Sequence, residues 1–183
     1  AEQRQSVLVN SEGTEVVNQH EVCGLSLFLQ RYTARGEPVE QEVTFLTGDP
    51  SELPDEREVL RIVRDRIARL HALAEAPWLN SYSGPVLLSP RAAGLFFHEV
   101  VGHRLEGSRL LSAEEGSTFQ DLQGRDIAPS FLSIVDDPTV RRFRGRSLIG
   151  HFRHDDEGSP ARRVVLVAHG VLRRFLTTAA PLP

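Results

Sequence analysis

Hydrophobic and polar residues alternate along the first part of the chain. Residues 5–47 contain the alternating runs "SVLVN", "TEVVNQ", "GLSLFLQRYT" and "VEQEVTFLTG", with the turn-forming segments "SEGT" and "ARGEP" between them. Alternation interrupted by glycine and proline is typical of antiparallel strands in a meander. We therefore predict an antiparallel sheet here, with one face buried.

The spacing of apolar residues then changes to three and four. Between Val59 and Ala74 this spacing predicts one amphipathic helix, at about residues 54–75, that lies on the sheet. Pro54 is placed where a first helical turn tolerates it, and acidic residues follow at the positive end of the helix. Four arginines of this segment are expected to face water: Arg61, Arg64, Arg66 and Arg69.

The second half of the chain contains shorter elements. The apolar run "PVLLS", residues 85–89, predicts a buried strand, and Ser89 followed by Pro90 predicts the start of a helix over residues 90–107. Residues 108–130 are polar and predict a loop. "FLSIVDDPT" predicts a strand that ends in an aspartate-rich turn, and "RRVVLVAHGVLRRFLTT" predicts a hairpin with His169 and Gly170 at its tip.

These elements define the expected fold class, α+β. Antiparallel strands pack with an amphipathic helix, a strand and the helix 90–107 follow, and a β-hairpin region comes last. The 183 residues fit one such domain, and the absence of methionine predicts that they are a piece of a longer chain.

Charge and composition narrow the class of protein. A net charge of -4 and a pI near 6.0 argue against a nucleic-acid binder, and the arginines of 141–146 and 162–163 are interpreted as a solvated face or as contacts to peptide carboxylates. No apolar run reaches the ~18 residues of a membrane span, so we expect a soluble, cytoplasmic protein. The single cysteine, Cys23, excludes an internal disulfide and is predicted to be a buried strand residue.

The candidate chemistry lies in "GLFFHEVVGHRLEG", residues 94–107. His98 and His103 are five residues apart, whereas the H-E-x-x-H signature of zinc peptidases places its histidines four apart. In a regular α-helix the two imidazoles would point about 140° apart and could not share a metal ion. Glu99, His103 and Glu106 would then share a face, either as a cation site or as a polar stripe.

A π-type bulge is the alternative. One extra residue in the turn brings His103 under His98, with Gly102 easing local crowding, and Glu106 then turns toward the same face to support a ligand. Two imidazoles hold zinc with open positions, the metal lowers the pKa of a bound water, and Glu99 takes its proton. Amide hydrolysis is the reaction that suits such a site.

The neighbouring strings resemble the TldD/PmbA family of zinc metallopeptidases. "VNSEGT", "PWLNSYSGPVLLSPRAAGLFFHE", the motif, "AEEGSTF", "SIVDDPT" and "DDEGSPARRVVLVAHGVLRRFLTT" follow in the family's order and span nearly the whole chain. The resemblance implies zinc bound at His98 and His103, a catalytic Glu99, and peptide substrates that pair with a strand edge in an enclosed groove. It also implies a homodimer, or a heterodimer with a family paralogue.

The chain departs from the family pattern in one respect. The third zinc ligand implied by the resemblance is a cysteine in a C-terminal domain, and the chain stops at Pro183 without it. We therefore expect a fragment that lacks this domain and is inactive by itself. The rival hypothesis is a non-catalytic, partner-binding protein of the gyrase-modulator type. His151 and His154 beside "DDEG" suggest a second metal site, but a solvated turn is the favoured interpretation.

Overall fold

The computed structural model describes residues 1–111 and 119–178. Contacts between residues divide the chain into two compact units. The first unit comprises Ala1–Val7, Val17–Ser83 and Val140–Gly150, and the second comprises Leu8–Val16, Gly84–Thr139 and His151–Pro183. The expectation of a single α+β domain from a longer chain stays a prediction, because compact units of contacts are not by themselves domains.

Three strands form the predicted meander. They are β1 (Glu2–Val9), β2 (Glu15–Tyr32) and β3 (Pro38–Thr47), and they lie in the order β1-β2-β3. Strands β2 and β3 are antiparallel, with a continuous register from Cys23 opposite Thr47 to Tyr32 opposite Pro38. The predicted sheet is therefore confirmed, although two of the alternating runs merge into the single long strand β2.

The amphipathic helix α1 (Glu56–Glu75) packs against β3. It begins two residues later than predicted, because Asp55 is the N-cap and its side chain accepts a hydrogen bond from the Glu58 backbone N–H at 2.8 Å. Burial of one sheet face is confirmed only in part. Cys23 and Val43 are buried, as predicted for the cysteine, whereas Leu25 on the same face is exposed.

In the first unit, the Glu52 carboxylate forms several hydrogen bonds just after the end of β3. Glu52 accepts hydrogen bonds from the Ser147 backbone N–H and hydroxyl, both at 2.9 Å, and from the Thr47 hydroxyl at 3.0 Å. It also forms an ion pair with Arg142. Ser147 and Arg142 belong to a two-stranded hairpin, β5 (Arg142–Phe143) and β6 (Arg146–Ser147). These hydrogen bonds, first of all that from the Ser147 backbone, lower the pKa of Glu52 to about 2.

The predicted strand over residues 85–89 is wrong. No regular element covers these residues, and none of the described strands pairs with them. Leu87 is 98% exposed. The apolar run alone predicted burial, but a strand also needs a neighbour whose backbone satisfies its N–H and C=O groups.

The second unit contains a short antiparallel sheet. Strands β4 (Ile134–Asp136), β7 (Val164–Ala168) and β8 (Val171–Leu172) lie in the order β4-β7-β8. The predicted hairpin is confirmed with His169 and Gly170 at its tip, where both residues have positive φ values of 50° and 82°. The predicted strand within 131–139 is reduced to three residues.

The core of the second unit lies beneath this hairpin. Leu105, Leu166, Val167, Leu172 and Phe175 form one buried apolar cluster. The loop predicted over 108–130 contains two 3₁₀ turns, Gly107–Leu111 and Gln120–Leu122, and residues 112–118 lie outside the described part of the chain. Within the described part, no helix is both long and apolar enough to span a membrane.

Candidate metal centre

The helix that carries the motif begins where the sequence predicts. Helix α2 (Pro90–Phe97) starts after Ser89, whose hydroxyl oxygen accepts a hydrogen bond from the Ala92 backbone N–H at 3.3 Å. Regular α-helical structure ends at Phe97. The predicted helix over 90–107 is thus divided into an α-helix, a π turn and a 3₁₀ turn.

The chain is π-helical over His98–Gly102. The backbone N–H of His103 donates to the carbonyl oxygen of His98, five residues earlier, and a 3₁₀ turn follows over His103–Leu105. The predicted π-type departure from a regular helix is confirmed. The expected role of Gly102 in easing local crowding is not confirmed. A Cβ atom there would make only an ordinary 3.6 Å contact with the Phe97 carbonyl oxygen.

The π turn brings the motif side chains together. The imidazole rings of His98 and His103 have centroids 4.6 Å apart, and one ligand atom from each of His98, Glu99 and His103 lies within 4.8 Å of the others. Two nitrogens bound to one tetrahedral zinc at about 2.0–2.1 Å are about 3.3 Å apart. Small side-chain rotations therefore suffice for both imidazoles to share an ion, and the donor set fits zinc.

Glu106 contacts His103 on the side away from Glu99. The His103 Nδ1 atom is 2.7 Å from Glu106 Oε1, whereas His103 Nε2 lies 3.8 Å from Glu99 Oε2. An ionised carboxylate can only accept a hydrogen bond, so in neutral His103 the proton is placed on Nδ1 and the Nε2 lone pair is left for a ligand. The predicted supporting carboxylate thus contacts the predicted ligand.

Arg109 completes this arrangement and was missed by the sequence analysis. Its Nε atom donates to Glu106 Oε2 at 2.6 Å. Hydrogen bonds from Arg109 and then from His103 lower the pKa of the Glu106 carboxyl below its ordinary value. The available signal was the spacing of three residues between Glu106 and Arg109, which favours ion pairs on helical turns.

The end of the motif is anchored in the core. Leu105 is fully buried in the apolar cluster. Its carbonyl oxygen accepts a hydrogen bond from the Leu176 N–H at 2.7 Å, and the Gly107 N–H donates to the Leu176 carbonyl oxygen at 2.6 Å. Glu106 is held between these two bonds in an extended conformation, so its side chain starts from a fixed position.

The other candidate residues are not brought to this centre. Among the residues that the structure describes, His98, Glu99 and His103 are the only group of three or more potential ligands that could hold a metal. Asp155 instead forms a turn, since its Oδ1 accepts the backbone N–H groups of Glu157 and Ser159. The turn interpretation of "DDEG" beside His151 and His154 is confirmed.

An open cleft adjoins Glu106. It has a volume of about 920 Å³, and its lining includes Glu106, Asp136, Phe152, Asp156 and Phe175. Burial, followed by the nearby charge of Asp137, raises the pKa of Asp136. Apolar side chains and carboxylates both line this cleft, so it can accept a chain that is partly apolar and partly polar.

Comparison with known proteins identifies relatives. Residues 81–180 match a family profile described as PmbA/TldA metallopeptidase C-terminal domain. A zinc metalloprotease TldD homolog from Saccharolobus solfataricus is 30% identical over 172 residues, which is 92% of this chain and 36% of the relative. A metalloprotease TldD homolog from Haemophilus influenzae is 34% identical over 114 residues, or 62% of this chain and 21% of the relative.

A solved structure shares the fold. The crystal structure of a Bacteroides thetaiotaomicron protein, described as a candidate modulator of DNA gyrase, matches with a TM-score of 0.72 at 17% identity. The match covers 90% of this chain and 35% of that protein. The chain therefore spans about a third or less of the length of these three proteins.

Proposed function

Because the chain belongs to the PmbA/TldD metallopeptidase family, we propose that it forms part of a zinc-dependent peptidase that hydrolyses small or unfolded peptides. The observation that carries the proposal is the π turn, which groups the ligand atoms of His98, Glu99 and His103 within 4.8 Å. The name of the Saccharolobus relative, a zinc metalloprotease, supports the choice of metal.

His98 and His103 are the residues that would hold zinc. A bound zinc ion supplies Lewis acidity, which polarises a peptide carbonyl and makes a water molecule easier to deprotonate. Two imidazoles leave room for further ligands, and a cysteine from a domain beyond Pro183 stays our prediction for the third. By itself, the chain of 183 residues is expected to bind zinc weakly and to have little activity.

Glu99 is assigned the role of general base. Its side chain is exposed to solvent, and its carboxylate lies 3.8 Å from His103 Nε2, on the face that the metal would occupy. A base at this position can take a proton from water next to the ligands and later deliver it to the leaving amine. Glu106 faces the opposite ring nitrogen, so it supports the ligand and does not compete with Glu99.

The cleft beside Glu106 is the proposed path of the peptide. Strand β4 ends at its border, since Asp136 lines the cleft, and β4 has β7 as its single partner within the described residues. An extended peptide that adds to a strand edge is held mainly by its backbone, which suits a peptidase with little sequence preference. We further propose a cytoplasmic homodimer, or a heterodimer with a family paralogue, with no direct contact to nucleic acid.

Zinc content is the first test. We expect about one zinc per full-length chain by elemental analysis, with loss of the metal in His98→Ala and no change in the control His151→Ala. Glu99→Gln should retain zinc and lose peptide hydrolysis, because it keeps the shape of the side chain but removes the base.

The opposite results would overturn the proposal. Absence of zinc from the full-length protein would argue against a metal centre. Full biological function in Glu99→Gln would favour the rival hypothesis, a non-catalytic protein of the gyrase-modulator type.

A further inference from the structure

We propose that Arg109 is a positioning residue of the metal centre, which holds the Glu106 carboxylate so that His103 keeps its Nδ1 proton and presents Nε2 to the metal. The inference rests on the proposed function for the identity of the ligand. It assigns to Arg109 a role beyond that of a surface ion pair. Three observations carry it: the division of the carboxylate between two partners, the fixed backbone of Glu106, and a second contact from Arg109 to His103.

The two oxygens of Glu106 have different partners. Oε1 lies 2.7 Å from His103 Nδ1, and Oε2 accepts from Arg109 Nε at 2.6 Å. A carboxylate with only the histidine contact can rotate about its terminal torsion, which is broad for Glu. With both oxygens engaged, that rotation is restricted. Arg109 therefore determines the direction from which the carboxylate approaches His103.

The backbone on either side of Glu106 is already fixed. The Leu105 carbonyl and the Gly107 N–H both pair with Leu176, and Arg109 follows on the 3₁₀ turn Gly107–Leu111. The remaining freedom of Glu106 lies in its side chain. A guanidinium presents its donors in a rigid planar fork, so it restricts this freedom more than a point charge would.

Arg109 also approaches the histidine itself. Its Nη2 atom lies 3.4 Å from His103 Nδ1, longer than the 2.7 Å contact of that nitrogen with Glu106. Both guanidinium and an Nδ1–H are donors, so the shorter contact is the hydrogen bond and the longer one only brackets the ring. Arg109 thus contacts both members of the pair that it orients.

A second ion pair in the chain provides a matched control. Arg61 and Glu58 are also three residues apart and also approach to 2.6 Å, but the pair lies on α1 with no histidine beside it. The side chain of Arg61 is 67% exposed, compared with 31% for Arg109. A general effect of losing an arginine from an ion pair should appear in both variants, and an effect on the metal centre only in one.

The test uses the full-length protein and compares Arg109→Gln and Arg109→Lys with Arg61→Gln. In the metal-free protein, ¹⁵N NMR of the histidine rings at about pH 8.5, well above the ordinary histidine pKa, reports which nitrogen of His103 is protonated. A His103→Gln spectrum assigns the signal. Zinc affinity is measured separately by competition with a chelator.

We expect wild type and Arg61→Gln to show His103 predominantly as the Nδ1–H tautomer. Arg109→Gln should shift the population toward Nε2–H and raise the Kd for zinc by about tenfold. This is the lower end of the loss of metal affinity that follows removal of a group hydrogen-bonded to a ligand. Arg109→Lys should recover part of both, since it keeps the charge and loses the fork.

Unchanged tautomer and unchanged Kd in a folded Arg109→Gln protein would overturn the inference, while zinc binding by the wild type would leave the proposed function in place. A tautomer shift in a protein that takes up no zinc would overturn the metal centre but retain the Arg109–Glu106–His103 relationship. If Arg109→Gln does not fold, Arg109→Lys provides the test. Full wild-type behaviour of that variant would overturn the inference, because the planar fork of the guanidinium would then not be needed.

Discussion

Each of the two compact units is stabilised internally by a different kind of interaction. In the first unit, α1 covers only part of the meander, and a polar junction at Glu52 connects the end of β3 to the β5–β6 hairpin. In the second unit, a buried apolar cluster under the β7–β8 hairpin receives Leu105 from the motif segment. The candidate metal centre belongs to the unit with the apolar cluster.

This difference shows how packing can fix the positions of the residues at the candidate site. Apolar packing and two backbone hydrogen bonds fix the residues directly after His103. Side chains that must orient a ligand to within a fraction of an ångström need such support from rigid neighbours. A junction made of polar contacts responds more readily to pH, and none of the candidate metal ligands lies in the first unit.

The largest effect on stability is expected from Leu105→Ala. It removes a fully buried side chain from the apolar cluster and should lower the free energy of unfolding by about 2–5 kcal/mol, as large-to-small core substitutions do. Denaturant unfolding measures this loss. The control Leu60→Ala, at an exposed position of α1, should cost much less. Equal losses for the two variants would contradict the contrast between the units.

The hairpin tip should be the next most sensitive position. Gly170 has a φ of 82°, and a Cβ atom there would lie 2.3 Å from the Ala128 carbonyl oxygen. Gly170→Ala should therefore lower the free energy of unfolding by at least about 2 kcal/mol, because the backbone is strained and the segment at Ala128 is displaced. Gly124 has a φ of 78° with open space around it, so Gly124→Ala measures the strain alone, at about 1 kcal/mol. A similar cost at both glycines would show that the contact with Ala128 is unimportant.

The polar junction of the first unit should give a smaller, pH-dependent effect. The pKa of Glu52 is about 2 in the folded chain and 4.5 ordinarily, so the stabilisation from its ionised form is present above pH 4.5 and is lost as the pH falls toward 2. Glu52→Gln should lower Tm at pH 7 and lose less further stability on acidification than the wild type. Thermal unfolding across this range provides the measurement, and parallel curves would contradict the assignment.

The smallest effects compare one helix cap from each unit. Asp55 accepts the Glu58 N–H at 2.8 Å, whereas Ser89 accepts the Ala92 N–H at 3.3 Å. Asp55→Ala should cost about 1 kcal/mol, and Ser89→Ala about half of that, because the longer hydrogen bond contributes less. A larger loss for Ser89→Ala would indicate that the second unit depends on this cap more than its geometry suggests.

The sequence was most informative where local chemistry determines structure. The five-residue spacing of His98 and His103 allowed a shared metal only with a π turn, and the structure has one. The hairpin tip at His169 and Gly170 and the start of α2 after Ser89 followed from turn and capping residues in the same way. These features depend on neighbours in the sequence, so they can be inferred from it.

Features that depend on partners distant in sequence were not predicted. The run at 85–89 is as apolar as a strand, yet its environment leaves Leu87 exposed. The bonds between Glu52 and Ser147 join residues 95 positions apart, and no periodicity in the sequence indicates them. Arg109 was missed for a related reason, because its contacts depend on where the Glu106 side chain points.

The π turn also has a mechanical consequence for the two histidines. The backbone hydrogen bond that closes it runs from the His103 N–H to the His98 carbonyl oxygen, so the two candidate ligands are the two ends of one ring of bonded atoms. This ring restricts the movement of the two residues relative to each other. Folding of the polypeptide therefore already supplies much of the ordering of His98 and His103 that binding of an ion would require.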